Sequence, residues 1–343
     1  MRLGRTFVSP AVDILLIGGV LSIPVALVAR AAGVRFDVAR MMPIVLLLSY
    51  AHVAASLLRL YGKKGVVRSR PLLSVAFPLA TVVATGALLL AGTGVADRVQ
   101  GIYLTWSAYH YAAQTFGLAF MYAQRSGSAM SPKEKRFLQA ACLATFLYAV
   151  LGRSAGLTLL VPPWVYESRV LESLRLGVRA ILLVALLGSP LALAWHKRRR
   201  GEPLPLMTLI LVYTNAAWWV LFIPTDAFAW AALSHGAQYM VIATVFHVKE
   251  AQQAPNEQAP KERGPAYHAV TFYVASVALA FGLYYGGPAL FGAISHRFYH
   301  SATPLLVALM LNLHHVILDG FIWRRAAVRT DKGLAVPALA AGG

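Results

Sequence analysis

The sequence predicts an all-α protein that forms a polytopic bundle of about ten transmembrane helices. Of its 343 residues, 58% are hydrophobic and only 13% are charged, whereas a soluble domain carries about 25% charged residues. The apolar residues form stretches of about 20 residues between short polar breaks, which is the length of a membrane-spanning helix. They do not alternate in segments of about ten residues, as the strands of a membrane β-barrel do. An ordinary soluble domain and a disordered chain are therefore excluded.

The ten predicted spans follow one another along most of the chain. They are 11–31, 41–61, 72–92, 99–122, 137–161, 174–195, 205–223, 227–248, 267–287 and 302–323. We do not expect the first span to be a cleaved signal peptide, because it is too long, contains Asp13 and precedes no small-residue cleavage site. Residues 1–325 are predicted to form a single transmembrane domain, and residues 326–343 a flexible cytoplasmic tail.

The positive charges predict the orientation of the spans. The net charge is +18, which in a soluble protein would suggest nucleic-acid binding. With the N-terminus in the cytoplasm, however, 22 of the 31 basic residues fall in cytoplasmic segments, as the positive-inside rule requires. An even number of spans then places the C-terminus inside as well. We therefore interpret the charge as a topology signal of a bacterial-type inner-membrane protein, with membrane lipids rather than nucleic acid as partners.

Histidines in the middle of four spans are the main candidates for a functional site. They are His52, His110, His235 and the adjacent pair His314–His315. Polar side chains are costly at the centre of a bilayer and usually have a function there. All four spans are even-numbered, so they run in the same direction and hold their histidines at a similar depth. The alternative interpretation, a set of unrelated histidines hydrogen-bonded between helices, does not explain this shared depth.

Each of these histidines is followed four positions later by a polar residue on the same helix face. The partners are Ser56, Gln114, Tyr239 and Asp319. Such a residue can bind a metal itself or orient the ligand that does. Asp319 is conspicuous because an acid in a late span needs a cation, a proton or a partner. We therefore predict His52, His110, His235, His314 and His315 as metal ligands, with Asp319, Tyr239 and Gln114 in catalytic or substrate-facing roles.

The remaining histidines give a weaker signal. His296 and His300 form an HxxxH pair, whose spacing can ligate a metal on a helix, but they precede the tenth span on the predicted outer side. His196 and His247 lie at the cytoplasmic face and are expected to be solvated, and His268 begins the ninth span on the same side. The single cysteine, Cys142, excludes a disulfide framework.

The donor set favours a transition metal over magnesium or calcium. We expect non-haem iron, in a mononuclear or dinuclear site, with copper, zinc or haem as alternatives. No Walker loop, GxGxxG or GxSxG motif is present, so the metal is expected to supply the chemistry. The predicted function is that of an oxygenase, hydroxylase or desaturase acting on a lipidic or isoprenoid substrate. A haem protein of electron transfer and a proton or metal-ion transporter remain alternatives.

The dispersed histidines, the many spans and the scarcity of acids resemble the histidine-rich integral-membrane oxygenases. These include the fatty-acid desaturase and hydroxylase class and the Brp/Blh-type carotenoid-cleaving dioxygenases. The resemblance implies a histidine-bound iron site and oxidation of a lipidic substrate. The histidine boxes of desaturases are not reproduced, since Leu311 stands where an HxxHH box ending at His315 would need a histidine. If electrons are required, the basic cytoplasmic face would suit an acidic soluble donor.

Overall fold

The computed structural model describes residues 2–33, 38–62, 65–152, 155–222, 224–253 and 264–331. Helix accounts for 84% of the structure, and the described residues include no strand. The all-α prediction is therefore confirmed. The polar segment 249–266, whose composition predicts a flexible cytoplasmic linker, lies largely outside the described residues, and so does the predicted tail beyond Asp331.

The helices follow the predicted spans closely, and shorter helical turns connect some of them. In chain order they are α1 (Pro10–Ile17), α2 (Ser22–Ala31), α3 (Met41–Tyr61), α4 (Leu72–Leu90), α5 (Ala96–Arg125), α6 (Pro132–Val150), α7 (Arg169–Arg199), α8 (Leu206–Leu221), α9 (Pro224–Gln253), α10 (Pro265–Ile294) and α11 (Thr303–Asp331). The fifth span was predicted to reach residue 161, whereas α6 ends at Val150. Helix α11 continues six residues into the segment predicted as a tail.

Among the described residues, five helices are long and apolar enough to cross a membrane: α3, α4, α7, α10 and the part of α11 up to Phe321. The number rises to six if α1 and α2, which are bent by 52° at a short break, form one span. The described structure thus fits an integral membrane protein without confirming all ten spans. Helix α8 is only 16 residues long, and α5 and α9 carry many polar residues along their length.

Large apolar side chains cover the outer surfaces of α4 and α7. Leu72 is 79% exposed and Val83 is 64% exposed on α4, while Ile181 and Val184 are at least 70% exposed on α7. A soluble monomer rarely displays continuous apolar surface of this kind. These faces are suited to contact with lipid tails.

In the part of the chain that the structure describes, π-helical segments interrupt the α-helical geometry at four places. They are Asp13–Ile17, Val45–Tyr50, Leu72–Ala76 and Gly282–Gly286. A π segment adds a residue to the turn, rotates the side chains that follow and often occurs at functional sites. The segment Val45–Tyr50 ends two residues before His52 and thereby sets the direction of that side chain.

The N-terminal segment folds across one end of the bundle and is held there by Asp13. The Asp13 side chain is completely buried. Its carboxylate accepts hydrogen bonds from the backbone N–H groups of Phe7, Val8 and Ser9, at 2.6, 3.0 and 3.3 Å. The Tyr122 hydroxyl donates a further bond of 2.5 Å. Four donors from within the chain thus stabilise this buried acid.

Basic residues from several helices gather at the same end. Arg125 donates to the Thr6 carbonyl oxygen and stacks over the Phe7 ring, and Lys249 lies 6.0 Å from that ring. The fully buried Lys197 bonds to Glu202 at 2.6 Å. These are residues that the sequence predicts to be cytoplasmic, and the structure brings them together at one end.

Candidate metal centre

Four helices bring four buried histidines together in the interior of the bundle. His52 lies on α3, His110 on α5, His235 on α9 and His315 on α11, and each is less than 10% exposed. The His52 ring centroid is 5.0 Å from that of His235 and 4.6 Å from that of His315. The His110 ring is 4.8 Å from His235 and 5.3 Å from His315. The four rings therefore form one contiguous group.

Small residues let the helices approach this closely. Gly236, next to His235, lies against the backbone of α3, where a Cβ atom would be 2.6 Å from the Leu48 carbonyl oxygen. Ala51 and Ala55 flank His52 and are completely buried. Small side chains at a crossing allow two membrane helices to pack backbone to backbone. The separation of His52 and His235 is thus fixed by a tight crossing.

Each of the four histidines has a buried ring nitrogen without a hydrogen-bond partner among the described residues. These atoms are His52 Nδ1, His110 Nε2, His235 Nε2 and His315 Nε2. A buried polar atom without a partner costs free energy, so nearly all such atoms in proteins are paired. Four of them in one group of touching rings is the donor pattern that a metal ion would satisfy.

A serine on a neighbouring helix orients the His315 ring. Ser56 donates its hydroxyl proton to the Val53 carbonyl oxygen at 2.7 Å, and its oxygen lies 3.0 Å from His315 Nδ1. Because a serine hydroxyl has a single proton, the second contact requires Nδ1–H of His315 to donate. The ring is then in the tautomer whose lone pair is on Nε2, the atom without a partner. Hydrogen bonds of this kind fix the orientation of metal-bound histidines.

Asp319 lies beside the histidines, with Tyr239 bound to it. The Tyr239 hydroxyl donates a hydrogen bond of 2.8 Å to Asp319 Oδ1. The other carboxylate oxygen, Oδ2, is 3.9 Å from His110 Nε2. Both residues are nearly inaccessible, at 1% exposure for Tyr239 and 3% for Asp319. The acid that the sequence marked as conspicuous is therefore a buried neighbour of the imidazoles.

Two groups of three residues have the spacing needed to hold an ion. The first is His52, His235 and His315, and the second is His110, His315 and Asp319; in each, one ligand atom per residue lies within 4.8 Å of the others. Both groups include His315, which offers only Nε2 because Nδ1 is bonded to Ser56. Since one nitrogen lone pair binds one ion, the two groups describe overlapping arrangements around one position.

Two of the predicted site residues stand apart from these groups. His314 is stacked on Phe77 of α4 at 4.6 Å, because adjacent residues on a helix point about 100° apart. Its Nε2 is also buried without a partner, and its role as a ligand stays a prediction. Gln114 lies one turn beyond His110 on α5, and both of its side-chain polar atoms are buried without a partner.

The HxxxH pair has a different environment. His300 Nδ1 accepts a hydrogen bond from the Ala302 backbone N–H at 3.3 Å, which leaves Nε2 protonated. Nε2 lies 3.2 Å from the Leu89 carbonyl oxygen and donates to it. Both nitrogens of His300 are thus used within the fold, and no lone pair remains for a metal. His296 is exposed.

Sequence reasoning noted Ser56 only as a neighbour of His52 at i+4, and it missed the contact with His315. It considered Tyr111 only as one of several aromatic residues that could line a substrate pocket, and it missed that the Tyr111 ring is 4.5 Å from that of His235. Neither contact has a signal in the sequence, because each joins different helices and depends on their rotation. Comparison with the known protein families, with curated proteins and with solved structures finds no match.

Proposed function

We propose that the protein is an integral-membrane, metal-dependent oxidoreductase that uses one non-haem iron ion to oxidise a lipidic or isoprenoid substrate. The observation that carries this proposal is the convergence of four buried imidazole nitrogens without partners. The neighbouring set His110, His315 and Asp319 adds a second argument, because two histidines and one carboxylate are the ligands of many non-haem iron oxygenases. An iron ion held there would supply dioxygen activation and one-electron chemistry.

The chain's own residues would hold and tune this ion. His52, His110, His235 and His315 would provide the nitrogens, and Asp319 a nearby negative charge. Ser56 would keep Nε2 of His315 unprotonated, and Tyr239 would orient Asp319 through its hydroxyl. The shared His315 favours a single ion over a dinuclear site. We propose iron instead of zinc because the proposed chemistry is redox. The metal analysis described below would identify copper if copper is bound instead.

The proposed substrate class follows from the location of the centre. The four histidines lie in the interior of a bundle in which α4 and α7 have apolar outer faces, so a molecule dissolved in the bilayer can approach without crossing an aqueous phase. We further propose that all ten predicted segments span a bacterial inner membrane, with both termini in the cytoplasm. The cluster of basic residues at one end of the bundle supports this orientation, and it would also suit an acidic electron donor.

Two of the predicted spans, α5 and α9, are less apolar than a typical membrane-spanning helix, and this proposal accounts for the difference. Helices α5 and α9 carry His110 and His235, and polar residues near these histidines, such as Ser107 and Ser234, are buried inside the bundle. A helix shielded by its neighbours does not need an apolar surface all round. The low apolar content of α5 and α9 is therefore expected if they surround a polar centre.

Metal analysis combined with a visible spectrum tests the proposal. The purified protein should contain about one equivalent of iron per chain and show no Soret band. It should also consume dioxygen when an isoprenoid polyene is added in detergent. Less than about half an equivalent of any transition metal would contradict the proposal. One equivalent of zinc, with no dioxygen consumption, would contradict the redox chemistry but would still support a metal site at the histidines.

The two alternatives differ in how well they fit the geometry. Four imidazole rings with centroids 4.6–5.3 Å apart leave no room for a porphyrin plane between them, which disfavours a haem. A transporter is favoured by one observation, the 52° break between α1 and α2, since broken helices form substrate sites in many transporters. Metal uptake into proteoliposomes, without dioxygen consumption, would support that second candidate.

A further inference from the structure

Three basic residues form a cluster around the N-terminal segment, at the end of the bundle that the sequence predicts to be cytoplasmic. The guanidinium carbon of Arg125 lies 4.2 Å from the centre of the Phe7 ring, and the ammonium group of Lys249 lies 6.0 Å from the same centre. Arg5 is exposed two residues before Phe7. The pKa of Arg125 is lowered by its burial and, to a smaller extent, by the charge of Arg5. Arg5, Arg125 and Lys249 are therefore close enough to act on one another, and we call them the basic cluster.

Two acids lie near the basic cluster, and each already has other partners. The Asp13 carboxylate accepts four hydrogen bonds from backbone N–H groups and a tyrosine hydroxyl. Glu250, the residue after Lys249, is paired with Arg59 at 3.3 Å. Neither Arg125 nor Lys249 forms an ion pair with an acid of the described residues. Even with the whole charge of Asp13 counted, three cations leave the basic cluster with a net positive charge.

The fold does not use all the hydrogen-bond donors of the basic cluster. One terminal N–H group of Arg125 donates to the Thr6 carbonyl oxygen at 2.9 Å, whereas its Nε is buried without a partner among the described residues. The pKa of Lys249 is lowered by its burial and then by the charge of Arg125. Keeping two cations close together where they are partly removed from water costs free energy unless an anion joins them. A phosphate group supplies negative charge and several acceptor oxygens.

We propose that Arg5, Arg125 and Lys249 form a binding site for a phosphate group at the membrane surface. Arginine and lysine are the side chains that bind phosphate in proteins, and both are flexible enough to converge on one group. Apolar side chains beside the basic cluster are exposed, 49% for Val8 and 41% for Leu15. A phospholipid would place its phosphate at the cations and its chains along these side chains, whereas a soluble phosphate compound would use the cations alone. The site is separate from the candidate metal centre in the interior and does not depend on its function.

Lipid binding measured by native mass spectrometry tests this site. Delipidated protein in detergent is titrated with phosphatidylglycerol, which is anionic, and with phosphatidylcholine, which has no net charge. A second arm measures the unfolding temperature with inorganic phosphate and with chloride at equal ionic strength. Lys249→Gln removes one cation and leaves the bond between Arg125 and Thr6 intact. Lys135→Gln is the matched control, because Lys135 also lies over a phenylalanine, 4.6 Å from the Phe120 ring, but outside the basic cluster.

The wild-type protein should bind phosphatidylglycerol at least about tenfold more tightly than phosphatidylcholine, and Lys249→Gln should lose about tenfold in this affinity, as expected for one charge-assisted hydrogen bond. Lys249→Arg keeps the charge and should bind as the wild type does, which distinguishes a lost contact from a damaged fold. Lys135→Gln should also be unchanged.

The second arm separates the two sources of phosphate. If inorganic phosphate raises the unfolding temperature of the wild type but not of Lys249→Gln, and phosphatidylglycerol shows no preference, the site binds soluble phosphate compounds. Equal effects of Lys249→Gln and Lys135→Gln in both arms would overturn the proposal, because the positive charge would then act only as a diffuse field. Binding of neither phosphatidylglycerol nor inorganic phosphate would also overturn it.

Discussion

Two buried polar regions of the molecule contrast in how their hydrogen bonds are satisfied. At one end, Asp13 accepts three backbone N–H groups and the Tyr122 hydroxyl. In the interior, four histidines each retain a ring nitrogen without a partner among the described residues. The first region has all its partners within the chain and holds the N-terminal segment in place. The second has the arrangement expected of residues that bind something else.

The same contrast separates two individual histidines. His315 has one nitrogen bonded to Ser56 and the other free of protein partners. His300 has both nitrogens bonded to backbone groups, from Ala302 and Leu89. Both are partly or fully buried, so burial alone does not distinguish a ligand from a structural histidine. A histidine with both nitrogens bonded to the fold is structural, whereas a buried nitrogen without a partner makes a histidine a candidate ligand.

The largest expected effect comes from removing a central histidine. His52→Ala or His235→Ala should weaken iron binding by more than about 100-fold, since loss of a residue that only supports a ligand already costs 10–100-fold. His300→Ala is the matched control and should keep full iron, because its nitrogens serve the fold. Metal content after dialysis against buffered iron measures both.

The opposite result would refute the contrast between the two regions. If His300→Ala lost its iron while His52→Ala and His235→Ala kept it, the ligands would lie at the HxxxH pair. His314→Ala sharpens the comparison further. His314 lies outside both three-residue groups, but its Nε2 is also buried without a partner, so the iron content of this variant tests the sequence prediction that His314 is a ligand.

Asp13→Asn should lower stability without changing the iron content. The Asn side chain has one acceptor oxygen where the carboxylate has two, and its NH2 group would face the N–H groups that bind Asp13. We therefore expect the free energy of unfolding to fall by about 3 kcal/mol. Asp97→Asn is the control, because Asp97 is exposed and its loss should cost less than about 0.5 kcal/mol. Thermal unfolding in detergent measures the difference. Loss of iron from folded Asp13→Asn protein would show that the two regions are coupled.

Gly236→Ala should affect both stability and iron binding. Its new methyl group would meet the Leu48 carbonyl oxygen at 2.6 Å, and backbone atoms cannot rotate aside. We expect a loss of about 2 kcal/mol from overpacking and weaker iron binding, because α3 and α9 must separate. Gly117→Ala on α5 is the control, since a Cβ atom there meets nothing within 4 Å. Unchanged unfolding temperature and iron content in Gly236→Ala would contradict the tight crossing.

The sequence predicts the helices and most of the candidate residues, but it does not predict which side chains contact each other between helices. Period and hydropathy identify the helices, and the shared depth of His52, His110, His235 and His315 predicts their proximity. The i+4 spacing places Asp319 on the same helix face as His315. Contacts between helices, such as Tyr239 with Asp319, depend on the rotation of each helix about its axis, which a single sequence does not determine.

The pair His314–His315 illustrates this limit. Adjacent residues point about 100° apart on a helix, so only one of them can face a given neighbour. Sequence alone gives no reason to choose between them, and both were predicted as ligands. The structure turns His315 toward Ser56 and His314 toward Phe77. The π segment Val45–Tyr50 similarly changes the direction of the His52 side chain, and no pattern in the sequence predicts that segment.

Removing the Tyr239 hydroxyl should give the smallest effect and the most specific one. Tyr239→Phe keeps the ring packing but removes the hydrogen bond to Asp319 Oδ1, so we expect iron binding to weaken by about tenfold with little loss of stability. Tyr213→Phe is the matched control, because it removes a hydroxyl bonded to the Leu187 carbonyl oxygen at 2.7 Å without touching a histidine. If both variants bound iron equally well, the Tyr239–Asp319 bond would only support the fold. A selective change in Tyr239→Phe would instead show that the interior region differs from the Asp13 region, where a tyrosine hydroxyl serves structure alone.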